Sequence, residues 1–196
     1  MLLLVMPGND LKVSSGVMRD VSRAYRTEFS LKPKWMSADG KTVEGCSASA
    51  VDRLSWIQRV RLHALEEAVR WGQPYVFFLA PAIVSWVIPL VDRHCVRGGL
   101  IGGEVVAEDE PEDRLEGISH LVSTGCSRKE ATLFVQSLTS WPQGRTQRAA
   151  DRLSAIFYSK SGWIPELLWK NSERALQQRE IAEEIHRRKG KRESSF

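Results

Sequence analysis

Between Gly72 and Val106 the chain reads GQPYVFFLAPAIVSWVIPLVDRHCVRGGLIGGEVV, three apolar runs rich in Val, Ile, Phe and Trp, each shorter than an ordinary helix and separated by turn residues. Runs of this kind predict three consecutive antiparallel strands. The rest of the sequence reads as helix or loop, so this sheet is the expected core and its concave face the expected seat of a ligand. The uncharged part, Gln73 to Val91, is nearly long enough to span a bilayer, but Pro74, Pro81 and Pro89 interrupt it. That punctuation argues against a membrane helix.

With 196 residues, 42% of them hydrophobic, the chain can bury a real core and reads as one domain with an appendage. The opening MLLLVM is apolar over only six residues and meets Pro7, Gly8, Asn9 and Asp10 at once, too short a run for a signal peptide. Cys46, Cys95 and Cys126 form an odd, widely spaced set, which points to a reduced, cytoplasmic protein. The net charge of +4 belongs to a tail. Without Arg187, Arg188, Lys189, Lys191 and Arg192, 23 basic residues face 24 acidic ones, so the body is close to neutral.

Val17, Val21, Tyr25 and Phe29 recur at i+4 spacing and predict an amphipathic helix. Asp39-Gly40 predicts a type I′ hairpin turn with both central residues at positive φ, flanked by short strands at Lys34–Ser37 and Lys41–Glu44. From Ala48 to Trp71 an apolar stripe through Val51, Leu54, Ile57, Val60 or Leu62, Leu65 and Ala68 predicts a helix stopped by Gly72. Two strands, a helix and three strands is the plan of a PAS- or GAF-like sensor sheet with helices on one side. The Gly98-Gly99 and Gly102-Gly103 pairs lack the Lys-Ser/Thr of a P-loop and read as a hairpin turn and a close backbone approach.

Residues 104–116 carry Glu104, Glu108, Asp109, Glu110, Glu112, Asp113 and Glu116 without the spacing of a calcium loop, and read as a solvated acidic loop with Pro111 opening a helix. Ser127 and Glu130 form a capping box for a helix to about Leu138, and Thr146 to Tyr158 forms another. Pro165 to Lys189 is one long helical pattern. Leu168, Ala175 and Ala182 fall seven apart, as do Ile164, Asn171, Gln178 and Ile185, a heptad-like seam whose polar members suit register-setting in a dimer.

Nothing here selects catalysis or a cofactor. His63, His94, His120 and His186 form no H-E-x-x-H, no serine sits in G-x-S-x-G, and no C-x-x-C occurs. His94-Cys95, the only adjacent ligand-capable pair, falls in a polar turn and reads as surface. Of seven tryptophans, Trp35, Trp71 and Trp86 fall in or beside the expected sheet. Core packing accounts for them, while a buried indole must also place its N–H, which suits Trp35 and Trp86 as walls of a pocket.

These residues carry a family resemblance. GQPYVFFLAPAIVSWVIPL followed by GGLIGGEVV resembles the sensory domain of PocR-type regulators, where a strand leads into a Cys-Pro-Ala-Gly-Leu-like motif, a Pro-Ile strand follows and a Gly-rich strand ends in Gly-Gln. EFSLKPKWMSADGKTVEGC looks like that family's first hairpin, and RALQQREIAEEIHRRK is similar to the helix that joins such sensors to an AraC-type helix-turn-helix domain. The resemblance covers residues 17–189. It implies a PAS-like fold that binds a hydrophobic or diol-like metabolite and signals to a DNA-binding domain. The chain departs from the motif at Leu79 in place of its Cys, Ala82 in place of its Gly and Glu104 in place of its Gln.

The expected fold is therefore α/β of the α+β kind, a PAS/GAF-like antiparallel five-stranded sheet with flanking helices and a long C-terminal helix. Residues 1–16 form an extension, 17–162 the sensory domain, and 163–196 a signalling helix with a basic tail. The expected ligand residues are Trp35, Ser37, Phe78, Trp86 and Ile88, with Glu104 accepting from a hydroxyl. The expected partners are a small metabolite and a second copy through the C-terminal helix, with DNA reached only through a domain absent from this chain, and no membrane, metal, cofactor or catalysis. The expected role is small-molecule sensing for a transcriptional regulator; a ligand-free PAS-like dimerisation or interaction module is the alternative.

Overall fold

The structure, a computed structural model, describes residues 13–41, 49, 51–107, 111–142 and 144–193. Helix α1 (Ser15–Phe29) starts where the Ser14 hydroxyl accepts from the Val17 N–H, and it buries Val21 and Tyr25 from its i+4 stripe. Strand β1 (Lys34–Ser37) runs into the expected tight turn. Gly40 has φ +87° but Asp39 does not have positive φ, so the turn is not type I′. The Ser37 N–H donates to the Lys41 carbonyl around three loop residues, the form that needs a left-handed residue only at the last of them. Lys41 itself lies in no strand, and the rest of the expected Lys41–Glu44 strand lies outside the described residues.

A 3₁₀ turn (Val51–Arg53) precedes helix α2 (Ser55–Trp71), where one helix from Ala48 was expected. The reason is local. The Asp52 carboxylate accepts from the Ser49 N–H while the Ser49 hydroxyl accepts from the Asp52 N–H, a reciprocal pair that closes a single turn. Gly72 ends α2 in the left-handed conformation, as the sequence predicts.

The three apolar runs form β2 (Tyr75–Ala80), β3 (Ile83–Asp92) and β4 (Cys95–Ala107). Both glycine pairs lie inside β4, and the β3–β4 turn falls at Arg93-His94 instead of at Gly98-Gly99. After β4 come α3 (Pro111–Ser123), α4 (Arg128–Ser137), the two-residue β5 (Ser140–Trp141), α5 (Arg145–Ser161) and α6 (Glu166–Glu193). The capping box is realised at α4, where the Ser127 hydroxyl accepts from the Glu130 N–H and donates to its carboxylate.

The sheet order is β1-β4-β3-β2, antiparallel throughout, and β5 joins β4 as its one parallel partner at Val106-Ala107. β1 pairs only with Gly98–Ile101, which leaves that edge of β4 open further along. The fold is thus the expected α+β arrangement of a five-stranded sheet, flanking helices and a long C-terminal helix, with Ser140-Trp141 as its fifth described strand.

Helices cover both faces of the sheet, not one. Trp35, Val84, Trp86, Ile88, Leu90, Leu100 and Val105 pack under α1 and α5. Met36, Phe77, Leu79, Ile83, Val87 and Ile101 pack against α2, α3 and α4. Coverage on both sides explains the sequence of β3, which is buried from Ile83 to Val91 and shows no polar alternation.

Candidate functional site

Strand alternation divides the six expected ligand residues. Trp35, Trp86 and Ile88 share the α1/α5 face and are 2%, 0% and 0% exposed. Phe78 belongs to the same face at the edge strand β2 and is 68% exposed. Glu104 lies on the opposite face beneath α2, and Ser37 ends β1, its hydroxyl bonded to the Asp39 carboxylate and the Lys41 carbonyl. They do not form one pocket.

The indole of Trp86 closes on the backbone of β4 at Gly102, which leaves space for it: a Cβ there would sit 1.7 Å from Nε1. Its N–H donates to the Tyr25 hydroxyl at 3.1 Å, so a protein side chain takes the acceptor role expected of a ligand. Burial pushes the Tyr25 phenol well above its ordinary range. Trp86 also stacks on Trp141 with centroids 5.4 Å apart, Phe29 lies 6.0 Å from Trp141, and Phe157 meets Trp35 and Trp163 edge-on. The protein's own aromatic side chains therefore fill the middle of this face.

Where α5 begins, the same face opens. Val76, Phe77, Phe78, Val84, Ala107, Trp141, Pro142 and Thr146 line a half-open groove of about 340 Å³, at the small end of the range of ligand pockets. Its walls come from the ends of β2, β3, β4 and β5 and from the first turn of α5. Arg145 at the start of α5 lies over the Trp141 ring, 4.4 Å from its centroid.

On the other face four charges meet in the interior. The Arg61 Nη2 of α2 bridges Asp52 Oδ1 at 2.5 Å and Glu104 Oε1 at 2.8 Å, and Lys34 Nζ of β1 lies 3.1–3.2 Å from all four carboxylate oxygens. Arg61, Asp52 and Glu104 are all under a tenth exposed. Burial alone would raise the Asp52 carboxyl, but the Arg61 guanidinium and the Lys34 ammonium outweigh it and hold it at about 2. Two positive and two negative charges balance, so the cluster is an internal brace and not an open ion site; Nε and Nη1 of Arg61 meet no acceptor among the described residues. Sequence reading found Glu104 here but missed Lys34, Asp52 and Arg61. A signal for Arg61 existed: it lies four residues from both Ile57 and Leu65, on the buried stripe of α2.

Helix α5 links the groove to α6. Trp141 and Thr146 are at one end of it, and at the other Tyr158 donates to the Pro89 carbonyl and accepts from the Val91 N–H, with its phenol pushed up by burial to about 12. The β3–β4 turn clamps the entry of α6: Arg93 N–H donates to Ile164 O, Leu167 N–H to Arg93 O, and His94 Nε2 faces the Glu166 carboxylate at 3.1 Å. Leu168 and Asn171 then dock on α2, with Asn171 Nδ2 donating to Val69 O at 2.7 Å. The polar seam position that suited a dimer register is thus used within the chain.

Among the described residues no group of three or more His, Cys, Asp or Glu is placed to hold a metal, and no helix is long and apolar enough to cross a membrane. Cys95 is exposed and Cys126 buried, both as free thiols. Compared with known protein families, curated proteins and solved structures, the chain matches none.

Proposed function

We propose that this chain is a small-molecule-sensing module whose output is the arrangement of α6, and that two copies meet through that helix. The observation that carries the reading is the shape of α6. Its first turns are docked by Leu168 and Asn171, yet it continues to Glu193, and Trp169, Leu176, Ile181 and Ile185 are each half or more exposed along it. At about 1.5 Å per residue such a helix is roughly 42 Å long, and a helix without tertiary packing is marginal in water. Trp169 and Leu176, seven apart, share one face; Ile181 and Ile185, one turn apart, share another. Packing against a second copy covers one of these faces.

The input side rests on α5, which joins an open apolar groove to the entry of α6. A ligand alters α6 only by binding one packing of α5 more tightly than another, a shift of population between two arrangements. The likeness to PocR-type sensory domains supports the same assignment, in which a DNA-binding domain of a transcriptional regulator reads the helix. A ligand-free interaction module is the second reading, favoured by the solid packing of Trp35, Trp86 and Ile88. Sedimentation of the full chain against a chain ending at residue 172 tests the output. The full chain is expected to self-associate and the short one to stay monomeric; a full chain that is monomeric at all concentrations overturns the proposal. A dimer whose association no metabolite shifts leaves only the ligand-free module.

A further inference from the structure

We infer that the groove beside α5 is a site for a small amphipathic carboxylate, an aryl or short acyl acid whose body lies against Phe78 and Trp141 and whose head pairs with Arg145. The inference rests on the sensing reading and adds to it a place and a ligand class. Three observations converge. The groove is large enough for a small organic molecule, and among the described residues its walls are apolar or aromatic apart from the Thr146 hydroxyl. Phe78, which lines it from the edge strand β2, is 68% exposed, a large apolar side chain left open beside the groove.

Arg145 precedes the lining residue Thr146 in sequence and reaches the groove through Trp141, one of its walls. Its guanidinium is parked on the Trp141 ring, with no carboxylate within ion-pair distance among the described residues, and the first turn of α5 carries no acidic side chain. A cation held on an aromatic wall with no acidic partner among the described residues favours an anionic head, and a guanidinium matches a carboxylate with two parallel hydrogen bonds. The groove also touches the interior. Trp141, one of its walls, stacks on Trp86, and Trp86 donates to Tyr25 of α1, so occupancy bears on both helices of that face.

Three probes with one body and different heads test the assignment on the full chain: phenylacetate, phenylacetamide and phenethylamine, titrated by calorimetry and by tryptophan fluorescence. Phenylacetate is expected to bind saturably and perturb the fluorescence, with the amide about tenfold weaker and the amine weaker still. Arg145→Gln is expected to bring the acid to the level of the amide. Phe78→Ser, at an exposed position, is expected to keep the circular dichroism of the parent while weakening acid and amide alike. The inference is overturned if phenylacetate does not saturate, if the amide binds as well as the acid, if Arg145→Gln leaves the acid unaffected, or if the amine binds best. The acidic residues that follow Ala107 in sequence would favour that last outcome. Binding of phenylacetate that leaves self-association unchanged supports the site and removes the sensing role. A neutral compound that shifts self-association where phenylacetate does not bind keeps the sensing role and removes this site.

Discussion

Gly102 shows how one missing side chain settles what a sheet face can hold. The Trp86 ring occupies the volume in which a Cβ of residue 102 would stand, 1.7 Å from Nε1, and the same ring is fixed from its other sides by Tyr25 and Trp141. Overpacking a filled core by one methyl costs about 1–3 kcal/mol, and here the indole has no free direction in which to move. Gly102→Ala is expected to lower stability by about 3 kcal/mol in urea unfolding, with part of the loss recovered by Trp86→Leu in the double variant. Additive effects of the two changes would show that the ring is not in contact with residue 102. Neither residue announces this in the sequence. A glycine in a strand suggests a close approach, as was expected for the glycine pairs, but the partner 16 positions away is set by register, and a bulge between Ser85 and Val87 shifts that register.

Docking of α6 on α2 turns on a second close approach. Gly72 closes α2 at φ +68°, and a Cβ there would fall 2.1 Å from the Leu168 carbonyl oxygen. Gly72→Ala combines left-handed strain of about 1–2 kcal/mol with a backbone clash that only movement of α6 relieves. Amide exchange at residues 166–172 is expected to accelerate while exchange in β3 stays slow. Equal acceleration in both would mean that α6 and the sheet open as one unit. Elements with their own local signals were legible in advance: α1 from its i+4 stripe, α4 from its capping box, the β2–β4 meander from Pro and Gly punctuation, the stop of α2 from Gly72. What could not be read was decided by partners distant in sequence. β5 is two residues long and exists because β1 leaves an edge of β4 open. The continuous apolar run of β3 is itself a sign of burial on both sides, against the expectation of helices on one side, but which helices form the second layer, and how far they fill the expected pocket, did not show.

Across the whole molecule, the Lys34–Asp52–Arg61–Glu104 cluster ties β1, the 3₁₀ turn, α2 and β4 together, and its charge makes that tie depend on pH. The Asp52 carboxyl titrates near 2 in the fold against an ordinary 3.8, so the unfolded chain binds its proton first. The stabilisation is therefore complete above about pH 4 and is lost as pH falls toward 2, by about 2 kcal/mol at roughly 1.4 kcal/mol per pH unit. Asp39 is also held at about 2, by hydrogen bonds from Lys41 and Ser37, but it lies on the surface and contributes equally to variants of the cluster. Replacing a buried ion network by apolar groups of similar size is often close to neutral, whereas removing one member strands the others at a cost of about 3–5 kcal/mol. Arg61→Met is thus expected to destabilise strongly at pH 7, because it leaves two buried carboxylates with Lys34 alone. It is also expected to flatten the fall in stability between pH 4 and pH 2, since Asp52 loses its closest positive partner. Urea unfolding at several pH values checks both: a variant that keeps the parent's acid slope would show that the carboxyl is held down by something other than the guanidinium beside it.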